Sequence, residues 1–155
     1  MRPLVPTLLL CLLAAPLAQA APSGCFTAKE MAAERLVRQG LYLREGAMAC
    51  DGNPWNFKTL SLWQDIDAKQ GVKFAAQTKL RTNAFKREYP KNWQFQMRIW
   101  DGRIVMHYRN YPLGPEYCGE VKKRLQEVAK GGWNSFNKQA VIAPDEVKFS
   151  LRVCQ

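Results

Sequence analysis

Five cysteines, one histidine and thirteen Asp or Glu residues are the groups in this 155-residue sequence that could move protons, attack a carbonyl or hold a metal. A lone histidine excludes a multi-histidine metal centre, and His107 is the single candidate imidazole base. Ser23, Ser61, Ser135 and Ser150 lack the G-x-S-x-G setting that would mark a nucleophile for it. The carboxylate pairs that could support glycoside hydrolysis are Asp65 with Asp67, Glu116 with Glu120, and Asp145 with Glu146. Each has a simpler role: an exposed helix face, the positive end of a helix, and a loop after Pro144, respectively. No glycine-rich phosphate loop occurs, so the expectation is a chain with no catalytic residue, no cofactor and no metal.

The cysteines point to redox compartment instead. Residues 1–20 join Arg2, a Leu-rich run (Leu8, Leu9, Leu10, Leu12, Leu13) and Ala18-Gln19-Ala20, which reads as a secretory signal peptide cleaved after Ala20. Pro6 and Pro16 interrupt the run, which falls short of the about 20 apolar residues of a bilayer span. A lipoprotein signal with Cys25 as the lipidated residue is the alternative, against which Pro22 stands where Leu is expected. Cleavage removes Cys11 and leaves Cys25, Cys50, Cys118 and Cys154, an even number that in an exported chain reads as two disulfides. There is no C-x-x-C pair for a metal and no C-x-x-C-H for haem. The mature protein is expected to be soluble and periplasmic or secreted.

Charge is the remaining signal. The sequence carries 23 Lys and Arg against 13 Asp and Glu, a formal +10 that becomes +9 when Arg2 leaves with the signal. Between Ala68 and Pro112 ten basic residues meet only Glu88 and Asp101, so this third carries +8. Lys79, Arg81, Lys86, Arg87, Lys91, Arg98, Arg103 and Arg109 are interleaved there with aromatics, Trp93 and Trp100 among them. Cations attract phosphate or carboxylate, and aromatic rings add flat contact area. The expected partner is an anionic envelope component (lipid headgroup, lipopolysaccharide or cell-wall polymer) or an acidic protein. No nucleic-acid-binding signature accompanies the charge, so nucleic acid is not expected. A small envelope hydrolase acting on glycan or lipid is the competing reading.

These residues need a scaffold. Thr27-Ala28-Lys29-Glu30 is a capping box opening a helix over about 28–49, with Ala33, Leu36, Val37, Gly40, Leu43, Ala47 and Cys50 on its inner face. Lys29, Arg35, Arg38 and Glu45 fall outside that stripe, and the small Ala33, Gly40 and Ala47 would admit a neighbouring helix. Asn53 as N-cap and Pro54 at the first position predict a second helical stretch, either one long helix or two meeting at Gly71, ending before Pro90. Residues 93–111 fit a helix through Trp93, Met97, Trp100, Ile104, Tyr108 and Tyr111, or a hairpin over 93–109 turning at Asp101-Gly102. Helical neighbours on both sides favour helix. A last helix runs from Glu116 to a stop at Gly131-Gly132, and the alternating tail from Val147 suits an extended segment.

This helix length prunes the disulfides. Cys25 and Cys50 flank a helix that separates them by roughly 35 Å at 1.5 Å per residue, too far to bond. In an up-down bundle the end of the first helix and the start of the last share one end, which favours Cys50–Cys118 and leaves Cys25–Cys154 to clamp the tail.

Gly46-Ala47-Met48-Ala49-Cys50 closing one helix and Pro115-Glu116-Tyr117-Cys118 heading another resemble small cysteine-bearing helical periplasmic proteins of proteobacteria. The resemblance spans 25–131 and implies helix over 93–111 and the Cys50–Cys118 bridge; it implies no catalytic residues. The expected fold is all-α: one domain over 21–155, a disulfide-stapled bundle of four or five helices with a short extended C-terminal segment.

Overall fold

Thr27 begins the first helix as its sequence dictates. Its Oγ1 accepts from the Glu30 amide (3.3 Å), and the Glu30 carboxylate accepts from the Thr27 amide (2.8 Å). The computed structural model describes residues 24–52, 54–143, 146–150 and 152–154; the signal segment 1–20, its cleavage point and the expected cap Asn53 lie outside the described residues. Within them the order is β1 (Cys25–Phe26), α1 (Ala28–Asp51), α2 (Thr59–Glu88), α3 (Trp93–Arg109), α4 (Pro115–Ile142) and β2 (Arg152–Val153). The fold is the expected all-α bundle, and residues 93–109 are helix rather than hairpin.

Helix α1 packs against each of the other three helices, which changes what its polar residues do. Leu36, Leu43 and Ala47 join Ile66 of α2 and Val121, Leu125, Val128, Phe136 and Ala140 of α4 in one core. Each large side chain buried there contributes about 1.5–3 kcal/mol. A second core gathers Phe26, Ala84, Phe85, Trp100, Ile104 and Tyr108, with Phe149 of the tail packed on it. Arg38 and Glu45, expected outside, are buried. A helix covered on three sides has too little solvent-facing arc to keep every charge in water.

Two helix boundaries differ from expectation. Helix α2 starts at Thr59, not Pro54, because residues 54–58 form a turn with Asn56 and Lys58 at positive φ (47° and 54°). The turn is pinned by the Trp55 and Asn56 amides donating to the Gly52 carbonyl, and Asp51 Oδ1 accepts from the Leu60 amide (2.9 Å), doing the work of a cap from the preceding helix. From there α2 runs unbroken through Gly71. Helix α4 does not stop at Gly131-Gly132: Gly132 takes φ 60° and ψ −147°, the chain kinks, and helix resumes to Ile142. The second segment buries Phe136, Gln139 and Ala140, and that burial restarts it.

Both disulfides form as expected. Cys50–Cys118 joins the end of α1 to the start of α4, and Cys25–Cys154 ties the tail to the N-terminus, with Cα–Cα distances of 5.3 and 5.0 Å. Beside the second bridge, β1 and β2 pair in parallel (Cys25 with Arg152, Phe26 with Val153). Among the described residues no helix is long and apolar enough to cross a membrane.

Candidate functional site

The basic residues of 68–112 separate by helical phase. Arg81 lies three and four residues before Ala84 and Phe85, on the buried stripe of α2. Its Nη1 donates to Glu34 Oε2 (3.3 Å) and Asp101 Oδ1 (2.7 Å), and its Nη2 to Asp101 Oδ2 (3.0 Å). Glu34, fully buried, also accepts from Trp100 Nε1 (2.8 Å) and from Arg38 Nη2 (3.4 Å). Burial pushes the Glu34 carboxyl up, opposed chiefly by Arg81 and the Trp100 hydrogen bond. Arg81 and Trp100, expected on a docking surface, are therefore corrected to an internal network joining α1, α2 and α3.

Arg87 and Arg109 are likewise engaged. Arg87 bonds the Glu30 carboxylate, the Glu88 carboxylate and the Cys25 carbonyl, which holds Glu30 below the usual carboxylate range and raises Arg87 further. Arg109 Nε donates to Glu45 Oε2 (2.7 Å), and Arg44 bonds the other oxygen. Burial alone would raise Glu45; these two hydrogen bonds hold it lowered. Arg87 and Arg109 connect α1 to α2 and α3; Arg87 leaves the docking set, while Arg109 stays exposed beside Glu45.

What remains outward is coherent. Lys79, Lys86, Lys91, Arg98 and Arg103 are exposed, and Lys86 Nζ sits 4.8 Å from the ring centre of the half-buried Trp93. On α3, Trp100, Ile104 and Tyr108 face inward, while Phe95, Ile99 and Met106 stand out at 53%, 40% and 55% exposure. Phe95, Ile99, Gly102 and Met106 follow a spacing of four, three and four, which keeps them on one stripe of a helix. Arg98 and Arg103 are interleaved with that stripe. Ile99 and Met106 were missed in the sequence because Trp93–Tyr111 carries apolar residues at both inward and outward phases.

Of the candidate catalytic groups, His107 Nε2 lies 2.9 Å from Glu146 Oε2. Asp65 and Asp67 are exposed on α2, and Asp145 lies outside the described residues. Glu116, Glu120 and Glu146 border one cavity of about 300 Å³ with Tyr42, Tyr108, Tyr111 and Tyr117. Sequence patterning did not collect this set, since its lining comes from α1, α3, α4 and the tail; Tyr108 and Tyr111, three residues apart, were the visible hint. Among the described residues no cluster of three or more His, Cys, Asp or Glu could hold a metal. No protein-family model, no curated protein and no solved structure matches the chain.

Proposed function

We propose that the chain is an exported, non-enzymatic binding protein that docks on a phosphate-bearing lipid surface of the cell envelope through the outer face of α3. The observation that carries this reading is the exposed stripe Phe95, Ile99 and Met106 flanked by Arg98 and Arg103, with Lys79, Lys86 and Lys91 exposed on and after the adjoining helix. An outward helix ridge with apolar side chains between cations suits a headgroup boundary, where the apolar groups enter and the cations meet phosphate. An acidic protein surface is the competing partner, and vesicle binding separates the two. Two disulfides fit a periplasmic or secreted location.

The test is co-sedimentation of the oxidised protein with phosphatidylglycerol vesicles and with zwitterionic vesicles of phosphatidylethanolamine. Binding should be selective for the anionic vesicles and weaken with salt. Reversal to Glu at Lys79, Lys86, Arg98 and Arg103 should reduce it by orders of magnitude, since each cation near an anionic surface is worth about 1 kcal/mol. Arg81 and Arg87 are left intact because they hold the fold. Unchanged binding in the reversed variant, or binding only to soluble cell-wall polymer or an acidic protein, overturns the reading.

A second reading, a small envelope hydrolase, gains one observation: Glu116, Glu120 and Glu146 border one cavity and Glu146 bonds His107. Turnover of cell-wall glycan or phospholipid that disappears in His107→Ala would establish it, and no turnover by the unaltered protein would remove it.

A further inference from the structure

The cavity between α1, α3, α4 and the residues after α4 differs in charge from the rest of the molecule. Its lining includes Glu116, Glu120 and Glu146 against one cation, Arg124, a formal −2 within a chain of +10. Arg124 is already committed, its Nε donating to Glu120 Oε1 at 2.9 Å. Glu146 is exposed, and although partial desolvation would raise it, hydrogen bonds from His107 and Tyr111 hold it below the usual carboxylate range, so it stays ionised. Glu116 is exposed at the rim.

The walls are aromatic. Tyr42 stands steeply against Tyr108 and Tyr117 (69° and 78° between planes, centroids 5.2 and 6.5 Å apart), and Tyr111 stacks on Tyr117 at 21° and 5.3 Å. Tyr42 thus meets two of the rings edge-on, while Tyr111 lies near-parallel to Tyr117 and tilted 39° from Tyr108. Burial, and then the neighbouring carboxylates, raise the hydroxyls of Tyr108 and Tyr111, Tyr111 to about 12, so the rings stay neutral and bring no competing anion. The guanidinium of Arg124 lies 5.8 Å from the Tyr42 ring centre, a cation–π contact already present at this wall.

We infer that this cavity binds a small methylated ammonium group, caged by Tyr42, Tyr108, Tyr111 and Tyr117 and neutralised by Glu116 and Glu146. Ring faces attract a diffuse cation that keeps little hydration, and carboxylates at the mouth supply the long-range attraction. The volume, about 300 Å³, is at the small end of ligand sites and matches a headgroup-sized molecule rather than a polymer segment. The inference stands apart from the α3 docking face and survives its failure.

The experiment is isothermal titration with choline and with 3,3-dimethylbutan-1-ol, which has the same shape and no charge. Choline should bind and the alcohol should not. Glu116→Gln, at an exposed position, and Tyr111→Leu should each weaken choline by roughly tenfold while thermal unfolding confirms a folded protein. The same cation occurs as a free solute and as a lipid headgroup, so choline-headgroup vesicles form a second arm. Binding of free choline alone identifies a soluble ligand; binding of both identifies a headgroup. Equal binding of the neutral alcohol, no binding of choline, or binding of chitobiose in its place overturns the proposal.

Discussion

Lys79 and Arg81 stand two residues apart on α2, yet Lys79 is exposed and Arg81 is 2% exposed with two carboxylates on its guanidinium. Arginine suits such a place because its planar fork meets carboxylate oxygens in pairs and is less strongly hydrated than an ammonium. Truncation should therefore separate the two. Arg81→Ala strands Glu34, fully buried, with only Trp100 and the long Arg38 contact, and should cost about 3–5 kcal/mol in urea unfolding. Lys79→Ala should stay within about 0.5 kcal/mol of the parent. Equal losses would mean that the internal network is not what Arg81 is for. The sequence contained this division: Arg81 shares the phase of Ala84 and Phe85, whereas Lys79 and Lys86 do not. Charge counting over 68–112 concealed it, because a net +8 does not say which cations already have partners.

At Gly46 helix α1 lies tight against α4. A Cβ there would meet Val121 Cγ2 at 2.9 Å and Tyr117 Oη at 3.1 Å, whereas at Gly40 the nearest atoms would lie at 3.9 Å. Gly46→Ala must push apart two helices that the Cys50–Cys118 bridge holds one turn away, and overpacking of this kind costs about 1–3 kcal/mol. Gly40→Ala adds a methyl in ordinary contact with Phe136, Phe74 and Trp63 and should be neutral or stabilising, since alanine favours helix by about 1 kcal/mol. Paired thermal melts decide it, and a reversed order would refute the close-packing argument. The sequence named a small-residue face but not the tight position, because spacing shows which residues share a face and not how near the neighbour comes. The capping box was legible from local chemistry, the α3 helix only from its helical neighbours, and both disulfide partners from helix length together with up-down topology. The turn before α2 was not, because its cap is Asp51 of the preceding helix. Nor was the tyrosine cavity, whose walls are assembled only when α1, α3 and α4 pack.

At the scale of the whole molecule, acid tests how the charge is arranged. Above the ordinary glutamate value of about 4.3 the paired carboxylates are ionised in both folded and unfolded chains. Glu30, Glu45 and Glu146 are all lowered in the folded protein, so each contributes stability that is fully present above that value. As pH falls from there through the lower folded-state values, the unfolded chain takes up protons that the folded chain resists, and the contribution is lost. Glu34 has the opposite sign: raised by burial, it is relieved rather than strained when it protonates. Below the ordinary value the three lowered groups set the direction, and protonation also adds positive charge to a chain already at +10, which increases self-repulsion. Unfolding free energy should therefore hold or rise as pH falls from neutral to about 5, where Glu34 alone responds, and then drop steeply below about 4, where the three lowered groups lose their contribution. The two disulfides limit how far the unfolded chain can expand, so the fall should leave a compact acid state rather than an extended coil. Arg87→Gln removes the chief cause of the Glu30 shift and should lower stability at neutral pH while flattening the acid limb. Urea unfolding of both proteins across pH 2–8 measures this, and parallel curves would show that the Glu30–Arg87 pair does not couple proton binding to the fold.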